Sequence, residues 1–301
     1  HSPASWPQNP ELEWNPPGHG DIYTAMVTSG LLDALLDKGY TYVFISNSDN
    51  LGAIMNRRLL GYMVKNKLPF LMEVARRTEQ DKKGGHLCRL KKNGQLALRE
   101  VAQCPDQETE SFCDIQKYRF FNTNSIWVDL RVLKEVFITH RMMPLDLIIN
   151  PKTLDPRDPD SPKVFQLETA MGSAITNFHH ACAVVVPRKR FAPVKTTADL
   201  LQVMSDCFIR TDKDTIAPNP ERTPPMPKVT LDQEYYKKID MFLERFPKNP
   251  PSLLECSSLA VEGDVRFEEN VRCVGDVRLI NKSPVQAVVQ AGTVLNGEYV
   301  F

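Results

Sequence analysis

Several short segments hold residue types suited to phosphates, sugars and a divalent cation. Asp49 stands in Ser46-Asn47-Ser48-Asp49-Asn50-Leu51-Gly52, directly after the apolar run Tyr42-Val43-Phe44-Ile45. A carboxylate at the end of a buried strand costs free energy unless it is hydrogen-bonded or meets a cation, and Mg2+ in phosphoryl-transfer sites is held by one or two carboxylates plus substrate phosphates. Asp49 is therefore the candidate metal ligand; the alternative is a cap on a helix beginning near Leu51. The richest cationic run is Pro187-Arg188-Lys189-Arg190-Phe191-Ala192-Pro193-Val194-Lys195. A lysine held rigidly near a polyphosphate neutralises developing charge, whereas a flexible surface lysine does little. A plain basic loop is the alternative.

Three further segments carry polar groups beside glycines or apolar runs. In Pro16-Pro17-Gly18-His19-Gly20-Asp21 the glycines allow close approach of backbone to a ligand, His19 can donate to a base or phosphate, and Asp21 can cap a helix. A turn with a helix cap explains the same residues. Asp81-Lys82-Lys83-Gly84-Gly85-His86 offers lysines and free N–H groups to an anion or a sugar, or forms a solvated hairpin. Phe120-Phe121-Asn122-Thr123-Asn124 ends an apolar run in amides that suit sugar hydroxyls, or a turn.

The elements that must position these groups alternate between helix and strand. Prolines at 3, 7, 10, 16 and 17 make residues 1–20 an extended surface segment. Helical spacing from Asp21 to Lys38 predicts a helix, followed by a strand over 42–45, a helix from Leu51 to Val64 and a strand from Leu68 to Val74. Further strands are predicted at 96–101, 120–128, 147–149, 164–167 and 183–186. Such alternation implies an α/β protein with a mostly parallel sheet, in which ligands bind beyond the carboxyl ends of strands. Residues 212–229 are proline-rich and read as a surface excursion, and 233–246 as a helix. Beyond 250, Leu259, Val265, Val271 and Val277 stand six apart with Gly-Asp turns between them, the spacing of a parallel β-helix, with an antiparallel meander as the alternative. The expected division is 1–210, a linker and helix over 211–250, and a β-helix over 251–301.

Composition narrows the function classes. With 37 Lys plus Arg against 37 Asp plus Glu, no global positive field exists to hold a nucleic acid or an anionic membrane, so any basic site is local. No apolar run approaches the ~18 residues of a membrane span. The seven cysteines form no C-x-x-C pair and are expected as reduced thiols in the cytoplasm, and the adjacent His179-His180 cannot form the i, i+4 face of a helical zinc site.

Taken together and in order, these segments resemble the eukaryotic-type UDP-glucose pyrophosphorylase family. The likeness rests on Pro-Pro-Gly-His-Gly-Asp at 16–21, Ser-Asn-Ser-Asp-Asn-Leu-Gly at 46–52, Lys-Gly-Gly at 83–85, Phe-Asn-Thr-Asn at 121–124, Asn-Pro-Lys-Thr-Leu-Asp at 150–155, Gln-Leu-Glu-Thr-Ala at 166–170 and Arg-Phe-Ala-Pro-Val-Lys-Thr at 190–196. It implies a GT-A-like (Rossmann-like) mixed, mostly parallel sheet with a small C-terminal parallel β-helix, and Mg2+-dependent transfer from UTP to glucose 1-phosphate, giving UDP-glucose and pyrophosphate.

By the same resemblance, Gly18, His19, Asn47 and Asp49 face the nucleotide, and Asp49 also the Mg2+. Gly85, Glu100, Asn122 and Asn124 face the sugar, while Arg188, Arg190 and Lys195 face phosphates, with Lys195 and Asp49 as the catalytic pair. Transfer between two polyanions depends on positioning, metal and cations and needs no covalent nucleophile. The family's upstream glycine-rich phosphate loop has no counterpart in residues 1–15, and the chain begins with His1. The expectation is therefore the C-terminal part of a longer enzyme, or a truncated product, with the sheet incomplete on its N-terminal side. The other readings are a non-catalytic module that binds sugar nucleotides or pairs with a full-length subunit, and a pyrophosphorylase for another UDP-sugar. Exposed strands of the β-helix invite homo-oligomerisation.

Overall fold

The computed structural model describes residues 2–82 and 84–301, the side chains of Gln80 and Ala102 excepted. The chain divides into two compact units, residues 1–47 with 53–191, and residues 48–52 with 192–301. That division falls before residue 192, upstream of the expected boundary at 210.

In the first unit the helix expected over 21–38 is two helices, α1 (Ile22–Thr28) and α2 (Leu31–Asp37), because Gly30 between them is left-handed at φ +74°. Asp21 precedes α1 without giving it a side-chain cap. Strand β1 (Tyr42–Ile45) follows, then α3 (Arg57–Lys65), which begins six residues after Leu51 because Asn56 accepts from the N–H groups of Arg58 and Leu59. Asp49 is thus not the cap of that helix. The remaining elements are β2 (Phe70–Arg76), β3 (His86–Arg89), β4 (Leu96–Arg99), α4 (Thr109–Cys113), β5 (Phe120–Asp129), α5 (Leu130–His140), β6 (Leu147–Thr153), β7 (Lys163–Thr169) and β8 (Cys182–Val185).

Six of these strands form one mixed sheet, and its ladders correct the expectation of a mostly parallel one. Strand β5 pairs antiparallel with β2 along one edge and with β1 and β3 along the other, β3 pairs antiparallel with β4, and only β2 and β8 pair in parallel. The physical reason is the placement of β5. Strands β1 and β2 run the same way, joined by α3, but the longer β5 runs between them in the opposite direction. Periodicity marks strands and helices; it carries no information on strand order. Strand β2 is buried on both faces. Phe70, Met72 and Val74 join one core with Ile126, Val128 and Phe178, and Leu71 joins another with Met63 and Trp127. Strands β6 and β7 form a separate antiparallel ribbon in which Ile149 pairs with Leu167.

The second unit contains α6 (Thr197–Met204), β9 (Phe208–Arg210), β10 (Ile216–Pro218), β11 (Lys228–Leu231), α7 (Gln233–Tyr236), α8 (Ile239–Arg245), β12 (Ser252–Glu262), β13 (Val265–Phe267), β14 (Arg272–Ile280), β15 (Ala287–Val289) and β16 (Val294–Val300). The single helix expected over 233–246 is therefore two. Strands β11, β12, β14 and β16 form one parallel sheet, and β13 and β15 pair in parallel. These ladders exclude the antiparallel meander. Leu259, Val265, Val271 and Val277 are all at most 2% exposed, and Leu259 stands in register with Val277. Every third step of the six-residue spacing thus returns the chain to the same position in the next strand. The proline-rich excursion is tied down by Arg222, whose guanidinium donates to the carbonyls of Leu253, Leu254, Pro225 and Cys256.

Candidate functional site

The four residues expected at the sugar lie in the first unit and converge. The ladder between β2 and β5 shifts register so that Glu73 faces Ser125 while Val74 faces Asn122. Thr123 and Asn124 are the extra residues of this bulge, which re-aims side chains. Asn124 takes the left-handed conformation at φ +56°, and Thr123 Oγ1 donates to the Glu73 carbonyl at 2.8 Å. The two amides lock together, since Asn122 Nδ2 donates to Asn124 Oδ1 at 2.6 Å and the Asn124 N–H to Asn122 Oδ1 at 2.9 Å. The N–H of Asn122 donates to the carbonyl of Gly85. Gly85 lies under the Glu100 carboxylate so closely that a Cβ would stand 2.4 Å from both its oxygens. Burial pushes the Glu100 carboxyl above its usual range. No side-chain hydrogen bond or ion pair occupies Glu100 among the described residues, so its oxygens stay available to hydroxyls. Lys83, the first residue of the Lys-Gly-Gly motif, lies outside the described residues.

Gly18 and His19 are fixed against the segment that ends β7 and follows it, at Thr169 and Met171. Gly18 is at φ +85° and a Cβ there would stand 2.4 Å from the Thr169 carbonyl oxygen, so the close approach is between backbones. His19 Nδ1 accepts the N–H of Met171 at 3.0 Å, which leaves the ring proton on Nε2 as a donor. Burial lowers the His19 pKa against the opposing charge of Glu168, and favours this neutral form. The Tyr23 hydroxyl donates to the Met171 carbonyl at 2.9 Å, so both backbone groups of Met171 are bound. Asn47 follows β1 with its side chain unpaired among the described residues.

The two arginines expected at phosphates are committed elsewhere. Arg190 is buried and donates to both oxygens of Glu73 at 2.6 and 2.7 Å and to the Ile54 carbonyl at 2.8 Å. Glu73, fully buried, also accepts from Trp127 Nε1 at 2.9 Å. Arg188 pairs with both oxygens of Asp81 at 2.8 and 3.1 Å and lies over the rings of Phe121 and Phe191. Burial pushes the Asp81 carboxyl up, but hydrogen bonds from Arg188 and Thr78 and the Arg188 charge outweigh it, and the net shift is downward. Their positive charges are neutralised by carboxylates of the fold.

Asp49 and Lys195 both belong to the second unit. The segment after β1 pairs with the segment before α6: the Leu51 N–H donates to Ala192 O at 3.1 Å, the Val194 N–H to Asp49 O at 2.9 Å, and Asn50 bridges to Pro193. Buried Asn50 ties the turn, its Oδ1 accepting from Gly52 N at 3.1 Å and Ala192 N at 2.8 Å. Lys195 is exposed at the start of the turn that caps α6, where its own N–H and that of Thr196 donate to Asp199. Its ammonium has no ion pair among the described residues. Asp49 Oδ1 is buried and has no hydrogen-bond partner among the described residues. Among the described residues no three His, Cys, Asp or Glu side chains cluster to hold a metal ion.

Sequence reasoning missed Glu73, which anchors Arg190 and carries the bulge, and Gly172, where a Cβ would stand 2.5 Å from Asn122 Nδ2. A glutamate inside the apolar run Phe70-Leu71-Met72-Glu73-Val74 was the available signal for the first. No local signal marks the second.

The profile of the UTP–glucose-1-phosphate uridylyltransferase family matches residues 1–273. The chain is 42% identical over 287 residues to the UTP–glucose-1-phosphate uridylyltransferase of Musa acuminata and 43% identical over 283 residues to that of Solanum tuberosum. It covers 95% and 94% of its own length in these matches but only 59% and 57% of theirs. Among solved structures, a mutant UDP-glucose pyrophosphorylase of Leishmania major in complex with UDP-glucose superposes with a TM-score of 0.81 at 47% identity, covering 99% of this chain and 64% of the other. A Trypanosoma brucei structure, described as a UDP-glucose phosphorylase, gives 0.84 at 47% identity with the same coverage. The mixed α/β fold is therefore shared with solved pyrophosphorylases, and the chain belongs to the UTP–glucose-1-phosphate uridylyltransferase family.

Proposed function

We propose that this chain serves Mg2+-dependent uridylyl transfer, in which a phosphate oxygen of glucose 1-phosphate attacks the α-phosphorus of UTP and pyrophosphate leaves, giving UDP-glucose. The observation that carries this reading is the backbone pairing of 49–51 with 192–194, which brings Asp49 beside Lys195 in the chain fold while leaving the Asp49 oxygen and the Lys195 ammonium uncommitted. The unpartnered, buried Oδ1 of Asp49 fits a cation ligand, and one carboxylate suffices where substrate phosphates complete the shell. Mg2+ bound there supplies charge neutralisation to the phosphates. Lys195 adds a second positive charge against the charge that builds on the phosphates as the bond breaks.

In the first unit, Gly85, Glu100, Asn122 and Asn124 receive the glucose hydroxyls. Glu100 accepts, the amides donate and accept, and Gly85 permits the approach. His19, held as a neutral Nε2–H donor, and Gly18 contact the nucleotide. The family names and the UDP-glucose bound in the Leishmania major structure support these substrates. We read the first unit as a GT-A-like arrangement and the parallel strands of the second as a coil of β-helix, whose unpaired outer strand invites self-association. No helix among the described residues is long and apolar enough to cross a membrane, and the free thiols suit a reducing, cytoplasmic setting.

The test is release of pyrophosphate from UTP and glucose 1-phosphate with and without Mg2+. Turnover that requires Mg2+ and glucose 1-phosphate is expected. UDP-glucose binding without turnover would instead favour the non-catalytic module. Faster turnover with another sugar phosphate would reassign the sugar.

A further inference from the structure

A cavity of about 680 Å3 opens between the C-terminal end of α3, the turn joining β3 to β4, and the segment that leads into β8. It lies at the amino ends of β2 and β8, where Leu68 and Cys182 line it. The bulge at Asn122 faces Val74, three residues or roughly 10 Å further along β2 from Leu71, the partner of Cys182, and the Arg188–Asp81 pair follows the carboxyl ends of β8 and β2. Its walls are fixed. Gln95 of the turn donates to the Thr176 carbonyl, and Phe178 stacks on Phe70 with ring centroids 4.9 Å apart.

The charge of this region is one-sided in a chain whose formal net charge is zero. The contributing segments 57–72, 86–99 and 170–186 contain no Asp or Glu at all. Arg89, His179 and His180 line the cavity, Lys65, Lys67 and Lys92 adjoin lining residues in sequence, and Lys91 precedes Lys92 in the same turn between β3 and β4. None of these lysines, nor Arg89, forms an ion pair among the described residues. Uncompensated cations around a concavity focus a positive potential on it, and the volume falls within the ~300–1,000 Å3 range of small-molecule sites. Tyr62 on α3 presents a half-exposed ring at the same cavity.

We propose that this cavity is a second ligand site, for a small molecule bearing two or more phosphate groups, separate from the residues assigned to uridylyl transfer. The phosphates sit on the cationic rim, and the Tyr62 ring packs against the body of the ligand. Tripolyphosphate and ATP share the required chemistry and probe the two parts separately. In calorimetric titrations of the full chain, Lys67→Glu/Lys91→Glu should weaken tripolyphosphate binding by about tenfold or more, since each lost charged contact is worth more than a neutral one. Lys91→Glu/Lys92→Glu, confined to the exposed turn, should give a similar loss and guards against misfolding of the first variant. Lys195→Ala should leave this binding event in place. Tyr62→Ala should weaken ATP but not tripolyphosphate if the ligand is a nucleotide, and neither if it is a simpler polyphosphate. The imidazole NMR signals of His179 and His180 should shift during the titration. Unchanged affinity in both charge-reversal variants, or stationary histidine signals, would overturn the proposal. So would binding of RNA or of phosphatidylserine vesicles by a chain that ignores both small probes.

Discussion

In the first unit, Glu73 is fully buried, accepts two hydrogen bonds from Arg190 and one from Trp127, and has no oxygen left to offer. In the second, the chain joins Asp49 to Val194 through their backbones, and the side chains of Asp49 and Lys195 stay unpaired with one another. The same two residue classes, carboxylate and cation, are thus used in opposite ways. Where the charges saturate each other they hold strands together; where the backbone does the holding, the charges remain for a ligand. The basic run 187–195 contains both cases within a few residues, so composition cannot separate them.

The largest effect that sharpens this contrast should come from Glu73→Gln. It leaves the Arg190 guanidinium buried without its counter-charge, and breaking a buried pair in this way costs about 3–5 kcal/mol. Denaturant unfolding should show the loss, and a midpoint equal to that of the parent chain would dissolve the contrast. Lys195→Ala should behave in the opposite manner. Its stability should stay within about 0.5 kcal/mol of the parent, as for an exposed side chain, while kcat for pyrophosphate release falls by ~10²-fold or more. An unchanged kcat would return Lys195 to the status of a surface charge. Asn50→Ala falls between them. It removes a buried acceptor shared by Gly52 and Ala192, so a destabilisation of about 1–3 kcal/mol is expected, with kcat lowered because the Asp49 segment loses its tie. Stability loss without a change in kcat would separate the turn from the chemistry.

How far the sequence foretold this arrangement depends on the range of the interaction involved. Strand β1 and its polar exit at Asn47 and Asp49 were legible because an apolar run ending in polar residues is a local pattern. The six-residue spacing of Leu259, Val265, Val271 and Val277 was legible for the same reason, and all four are buried. The direction of β5 was not, because strand order is decided by which edges pair and not by periodicity. The break at Gly30 and the late start of α3 at Asn56 were written in single residues that helical spacing overrode. At the site, Gly85, Asn122 and Asn124 were named through motifs and Glu100 through the family resemblance, but the bulge that aligns the two amides needs the register of β2 against β5. Arg188 and Arg190 illustrate the limit most clearly: their partners Asp81 and Glu73 lie more than 100 residues away.

His86 supplies a third case, a buried titratable group with neither paired charge nor ligand. It is 0% exposed, its ring stacks on Tyr118 at 4.0 Å and approaches Phe112 at 4.5 Å, and neither ring nitrogen meets a hydrogen-bonding group of ordinary geometry among the described residues. Burial, with the charges of Arg77 and Arg99 adding to it, lowers its pKa from 6.5 to about 4. The unfolded chain therefore takes up this proton below pH ~6.5 while the folded chain does not until about 4, so the folded state loses stability as pH falls through that window and is unaffected above it. The strain would fall next to Gly85, whose carbonyl holds Asn122, so sugar binding should weaken over the same interval. Replacement by an uncharged ring, His86→Phe, should leave stability at neutral pH nearly unchanged and flatten the acid limb of the stability curve. Equilibrium unfolding of both proteins across this window is the measurement. Parallel acid limbs would mean that other groups, and not this imidazole, set the acid sensitivity of the hairpin of β3 and β4.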